Sequence, residues 1–306
     1  MSRAPDFDIG PLTWVKGEID QALERSVASL RAFVADPSDS NQIRFAQTHF
    51  HQAHGALAIV GLDGVTRLSD EIEGLLAEIG QAGGPPPGAA VAAFDKAVAA
   101  ISAYLSDLLS GEANQPLMLL AVYAELCAAR GKDAPDPAEL YFPDLTQRPP
   151  RREKAPVALT AGDAPRYYRE SRGRYQRGLL KWLKKDASGA EDMRAAVAAI
   201  EAAQSAPAHR AFWWVALALF DALVARSLPE DARLQRLCNR IEQQMKRLID
   251  GSPTVAERLM REALFQVARA RPATPHLRAV QETYRLAGTV PATFELRTDR
   301  RSAEPV

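Results

Sequence analysis

The sequence predicts an all-α fold, and three observations carry that reading. Alanine and leucine dominate the apolar positions, while the β-branched alternation typical of strands is almost absent. Apolar residues recur at three- and four-residue steps through most of the chain. Breaks rich in proline and glycine, above all Gly83-Gly84-Pro85-Pro86-Pro87-Gly88, separate the periodic stretches.

In the first part these stretches predict helices at about 12–35, 40–60, 62–81, 89–110 and 116–130. Pro37 cannot continue the first helix, and Ser38 to Ser40 offer N-cap oxygens to the second. Gly131 suits a C-terminal cap. Together these helices make an antiparallel bundle over 1–134, because short connections join neighbours that run in opposite directions. A proline-rich linker over 135–162 follows, polar and mobile in its Arg148-Pro149-Pro150-Arg151-Arg152 stretch. Within it, Leu140-Tyr141-Phe142-Pro143 is apolar enough to pack back onto a domain. A second helical domain occupies 163–290, with helices at about 165–186, 190–204, 209–226, 229–249, 253–270 and 276–287. The tail, 291–306, reads as disordered.

Composition narrows the function classes. Apolar residues make up 47% of the 306, so each half can bury a core. Lys+Arg and Asp+Glu both number 38, a balance without the basic excess that a general nucleic-acid binder needs. Cys127 and Cys238 have neither metal-site nor disulfide-framework spacing and read as buried free thiols. No signal peptide and no spanning segment are visible, so the expectation is a cytoplasmic protein without membrane insertion. The helix from Arg166 to Lys185 is basic and aromatic. Its bland reading packs Tyr168, Tyr175, Leu179 and Trp182 inward, while the other makes it a surface for nucleic acid or anionic lipid. Phe212-Trp213-Trp214-Val215 reads as core.

The chemistry concentrates in one helix, where Thr48-His49-Phe50-His51-Gln52-Ala53-His54-Gly55 holds three of the five histidines. Ile43, Ala46, Phe50, Ala53, Leu57 and Val60 form the stripe that should face the core. His51 and His54 each follow a stripe position by one, which turns them about 100° away, onto a shared flank. His49 points to the other side. Gly55 costs about 1 kcal/mol inside a helix and lies four residues after His51, leaving that imidazole uncovered on one side. His51 and His54, three residues apart, can also share one metal ion. No HExxH pattern is present and the sequence places no third ligand, so no metal site is assigned. Spacing alone leaves His51 open between a functional and a merely solvated histidine.

His51-x-x-His54-Gly55 resembles the His-x-x-Lys-Gly motif of histidine-phosphotransfer (Hpt) domains, with His54 in place of the usual lysine. Ser69-Asp70-Glu71-Ile72-Glu73-Gly74-Leu75-Leu76 is similar to the segment of CheA-type phosphotransfer domains whose glutamate meets the phosphorylated histidine. Glu73 falls on that glutamate, and Asp70 falls where a second histidine is common. The flanking segments from Trp14 to Ile19 and from Gly61 to Val65 resemble the N-terminus of ChpA/PilL-type hybrid CheA kinases of type IV pilus chemotaxis systems. Arg174-Tyr175-Gln176-Arg177-Gly178-Leu179-Leu180-Lys181-Trp182-Leu183 resembles the region that follows in those kinases and in FimL-like scaffolds.

The resemblance implies a phosphorelay. His51 is the implied phosphoryl acceptor, Glu73 orients it, His54 hydrogen-bonds the phosphoryl oxygens and Gly55 leaves access. The implied partners are a CheA-type kinase catalytic domain and response-regulator receiver domains. ATP and magnesium belong to those partners, and no cofactor is expected in this chain, which shows no glycine-rich ATP-binding boxes. The alternative implied by FimL-like architecture is a non-phosphorylated pseudo-Hpt scaffold that binds pilus-signalling proteins.

Overall fold

The structure, a computed structural model, describes residues 8–291. The fold is all-α: the described residues form eleven α-helices and two short 3-10 turns, without a strand. The tail expected to be disordered lies, past Pro291, outside the described residues. The chain divides into two compact units, which meet in sequence between Phe142 and Pro143.

The first unit contains α1 (Ile9–Ala35), α2 (Ser40–Val60), α3 (Asp63–Ala82), α4 (Gly88–Leu109) and α5 (Leu120–Ala129). Helices α1 to α4 contact one another in a closed ring, and α5 packs against α3 and α4. α1 starts three residues earlier than its periodicity suggests, because the Asp8 carboxylate accepts a hydrogen bond from the Gly10 N–H and caps it. The buried residues of α2 are Ile43, Ala46, Phe50, Ala53, Leu57 and Val60, the expected stripe. Phe50 meets Phe94 of α4 edge to face, with ring centroids 6.2 Å apart. α4 is long and apolar enough to cross a membrane by length and composition, but Phe94, Ala97, Ile101 and Leu105 of that helix are buried in the unit's core. The segment predicted as one helix from Pro116 opens as a 3-10 turn over Pro116–Leu119 before α5 begins.

Gly131, at φ +66°, ends α5: the Lys132 N–H reaches back 2.8 Å to the Cys127 carbonyl. That reversal brings Arg130 and Lys132 onto Glu71 of α3, which is almost wholly buried. Burial pushes the Glu71 carboxyl up. Hydrogen bonding to Lys132 and the charges of Arg130, Lys132 and Arg67 outweigh it, so the net direction is downward. A 3-10 turn at Pro137–Leu140 then folds back, with Leu140 and Tyr141 buried and Glu139 accepting from Tyr123 Oη at 2.8 Å.

The second unit contains α6 (Ala164–Leu183), α7 (Ser188–Ala203), α8 (Pro207–Val224), α9 (Ala232–Ile249), α10 (Glu257–Arg269) and α11 (Pro275–Thr283). α8 is the central helix, in contact with α7, α10 and α11, and Phe212, Trp213, Trp214 and Val215 are all buried in the core. α9 begins at Ala232 instead of Pro229 because the Asp231 carboxylate caps the Leu234 N–H. The basic helix α6 follows its bland reading: Tyr175, Leu179 and Trp182 are buried and Tyr168 is half-buried. Three of its charges pair with other helices, Arg172 with Glu242, and Arg174 and Lys181 with Asp192.

The stretch expected to be a mobile linker is tethered. Arg152 donates to the Ala202 carbonyl at 2.7 Å and pairs with the Glu201 carboxylate at 3.0 Å. The Val157 N–H donates to the same Ala202 carbonyl at 2.9 Å, and Arg210 donates to the Pro150 carbonyl at 2.6 Å. The carbonyls at the end of α7 lack intrahelical partners, and this segment supplies them. Cys127 and Cys238 are free and buried. Burial pushes the Cys238 thiol up to about 12.

Candidate functional site

Helices α2 and α3 build the site across one flank of the first unit. Phe50, Ala53 and Leu57 anchor α2 in the core, and Leu68, Ile72, Leu75 and Leu76 anchor α3. With both buried stripes seated, the residues just off each stripe meet at the surface. His51 and Glu73 are such a pair: Nδ1 lies 2.7 Å from Glu73 Oε1. The His51 side chain is 76% exposed, and the contact leaves Nε2 as the ring nitrogen without a protein partner among the described residues. A carboxylate can only accept, so Nδ1 carries the proton and Nε2 keeps its lone pair in the neutral ring.

His54 lies on the same flank as His51 but is set deeper. Its side chain is only 18% exposed and leans toward α3, where Nδ1 lies 2.7 Å from the buried Ser69 hydroxyl. Its Nε2 faces Asp70 Oδ1 at 3.8 Å and Glu73 Oε2 at 4.0 Å. The His51 and His54 rings are nearly parallel, with centroids 6.2 Å apart. One turn separates them along α2, and both reach α3, His51 at Glu73 and His54 at buried Ser69. Gly55 is half-buried, and a methyl group built on it would meet nothing within 4 Å. His49 is on the other side of α2 and makes no hydrogen bond through its buried Nδ1.

A shallow open groove continues from His51 and Glu73 toward the start of α2. Arg44, Gln47 and Thr48 line one side, and Leu76, Ala77 and Gly80 line the other. Gln47 forms part of its floor by donating to the Leu76 carbonyl at 2.9 Å. Gly80 allows that approach, since a Cβ there would lie 2.8 Å from Gln47 Nε2. The structure thus brings His51, His54, Gly55 and Glu73 to one face. Sequence reasoning missed the roles of Ser69 and Gln47. Their only signal is spacing, since each falls at the edge of its helix's apolar stripe.

Comparison with known proteins gives two matches. Residues 160–297 match the family model of the FimL scaffold protein second domain. Over 284 residues the chain is 26% identical to the scaffold protein FimL of Pseudomonas aeruginosa, an alignment covering 90% of this chain and 50% of that protein. The chain therefore spans about half the length of the curated relative it matches. No solved structure matches.

Proposed function

We propose that this chain is a helical scaffold that binds signalling proteins, with the α2–α3 face of the first unit as a docking surface. The observation that carries the reading is the alignment with scaffold protein FimL, which runs through both units instead of stopping at the second. The site fits a docking role: it is an open groove between two packed helices, lined by Arg44, Gln47 and Thr48 on one side and by Leu76 and Ala77 on the other. Sequence resemblance to type IV pilus chemotaxis proteins makes response-regulator receivers of that system the partner class to test.

A second reading, phosphotransfer, is favoured by one specific arrangement. Exposed His51 holds its Nδ1 proton against Glu73, which leaves the Nε2 lone pair available as a nucleophile. In that reaction Nε2 bonds to the γ-phosphorus of ATP held by a kinase domain, and the bond to ADP breaks. The phosphoryl group then passes to a receiver aspartate. His54 fits the phosphoryl-binding role less well than the family's lysine, because Ser69 already takes its Nδ1 and two carboxylates face its Nε2.

One experiment separates the two. The full chain is incubated with a CheA-type kinase core and labelled ATP, then titrated calorimetrically with receiver domains. Binding without acid-labile label, weakened by Arg44→Glu, is the scaffold outcome. Acid-labile, alkali-stable label that vanishes in His51→Gln is the phosphotransfer outcome. Neither label nor binding would refute both readings.

A further inference from the structure

We infer that His54, Asp70 and Glu73 form a binding site for one divalent transition-metal ion of the zinc class. The sequence places only His51 and His54 at a ligand spacing, with no third donor. The fold supplies two others: His54 Nε2, a carboxylate oxygen of Asp70 and one of Glu73 all lie within 4.8 Å of one another.

The ligand nitrogen is prepared for the role. The Ser69 hydroxyl has one proton, and that proton goes to the Thr66 carbonyl at 2.7 Å. The bond between Ser69 and His54 must therefore be donated by His54 Nδ1–H. This leaves the lone pair of the neutral ring on Nε2, the atom that faces the carboxylates. Ser69 is wholly buried, so this orienting contact is not a surface accident. A metal-ligating histidine ordinarily donates its other N–H to such a partner, which sets both ring orientation and tautomer.

Distance supports the same assignment. Nε2 lies 3.8 Å from Asp70 Oδ1 and 4.0 Å from Glu73 Oε2, too far for hydrogen bonds. Donors around a tetrahedral zinc ion with bonds of about 2.0–2.2 Å stand roughly 3.4 Å apart, so a small closing movement completes the site. Arg67 lies 3.7 Å from Asp70 Oδ2, so Oδ1 is the oxygen turned to Nε2, and a metal ion there offsets the repulsion between that oxygen, Glu73 Oε2 and the lone pair. Asp70 is exposed, which gives an ion a path in and leaves solvent to complete the coordination. Glu73 serves both neighbours, with Oε1 on His51 and Oε2 on the ion. The site does not depend on whether the face binds receivers or carries phosphate.

The test is calorimetric titration of the full chain with Zn²⁺ at neutral pH, with Mg²⁺ as control and Co²⁺ for its visible absorption. Saturable binding of one Zn²⁺ per chain is expected, with no Mg²⁺ binding. His54→Ala and Asp70→Asn should each weaken it by about tenfold or more, and Ser69→Ala by about tenfold, with circular dichroism unchanged. His51→Gln should retain it. Absence of saturable Zn²⁺ binding would overturn the assignment. Zn²⁺ binding unaffected by Asp70→Asn would also overturn it. Asp70 is exposed, so its variant tests the site even if His54→Ala fails to fold.

Discussion

At residue scale, the site is governed by which neighbour each off-stripe side chain finds. His51 and His54 stand one turn apart on the same flank of one helix, yet one is exposed and the other held against Ser69. Gly55 lies beside both and has open space where a side chain would be. Its absence of a Cβ costs the helix without serving the packing. Gly55→Ala should therefore raise the stability of the first unit by about 1 kcal/mol, read from urea unfolding. A loss of stability would mean that the glycine serves the fold. If phosphotransfer is measurable, the same variant should slow it, because the added methyl group stands on the approach to His51.

At element scale, two helix pairs depend on glycines for different reasons. α3 carries Gly74 beneath the Arg130 guanidinium, where a Cβ would collide with the group that pairs with Glu71. α6 and α7 cross at Gly178 and Gly189, backbone against backbone. A Cβ on Gly178 would lie 2.8 Å from both Asp192 Cβ and the Gly189 carbonyl oxygen, and one on Gly189 would strike the α6 backbone at Trp182. Backbone cannot step aside as a flexible side chain can. Gly189→Ala should thus destabilise the second unit by about 1–3 kcal/mol despite alanine's better helix propensity. Thermal unfolding followed by Trp fluorescence is the measurement, and an unchanged midpoint would contradict the close crossing. Three of the chain's four Trp residues lie in this unit, at 182, 213 and 214.

At the scale of the whole molecule, the last segment of the first unit closes its bundle. Glu139, Leu140 and Tyr141 bond to or pack against residues of α3 and α5 and their surroundings, so a fragment ending at 130 lacks part of its own core. A fragment covering 3–142 should unfold at a higher urea midpoint than one covering 3–130, and equal midpoints would refute the role of the return segment. Acid should act on both units through buried carboxyls. Burial raises Asp221, but hydrogen bonds with His276 and Arg194 outweigh it and hold the carboxyl below its ordinary value, as the partners of Glu71 do for that group. A carboxyl with a lowered folded pKa stabilises the fold above its unfolded value, and that contribution is lost as pH falls through the folded one. The urea midpoint of the full chain should be flat from pH 7 to about 5 and drop below about 4. In Glu71→Gln and Asp221→Asn, the neutral-pH midpoint should fall and the acid-dependent part should shrink. A variant retaining the full acid-dependent drop would assign it to other carboxyls.

The sequence by itself determined the all-α class, the core stripe of α2 and the concentration of histidines on one helix. Each of these is local: a 3.6-residue period states how side chains are distributed around a single axis. Through its resemblance it also pairs Glu73 with His51. Only the tertiary structure decided that His54 is covered while His51 is not, that Ser69 sets the His54 tautomer, and that Asp70 and Glu73 converge on its Nε2. It alone decided that the proline-rich stretch is fastened to the end of α7 and that two glycines let α6 and α7 touch. The reason is the same in each case. A periodic pattern gives the direction in which a side chain leaves its own helix, while its partner belongs to another helix whose position depends on packing of the whole core.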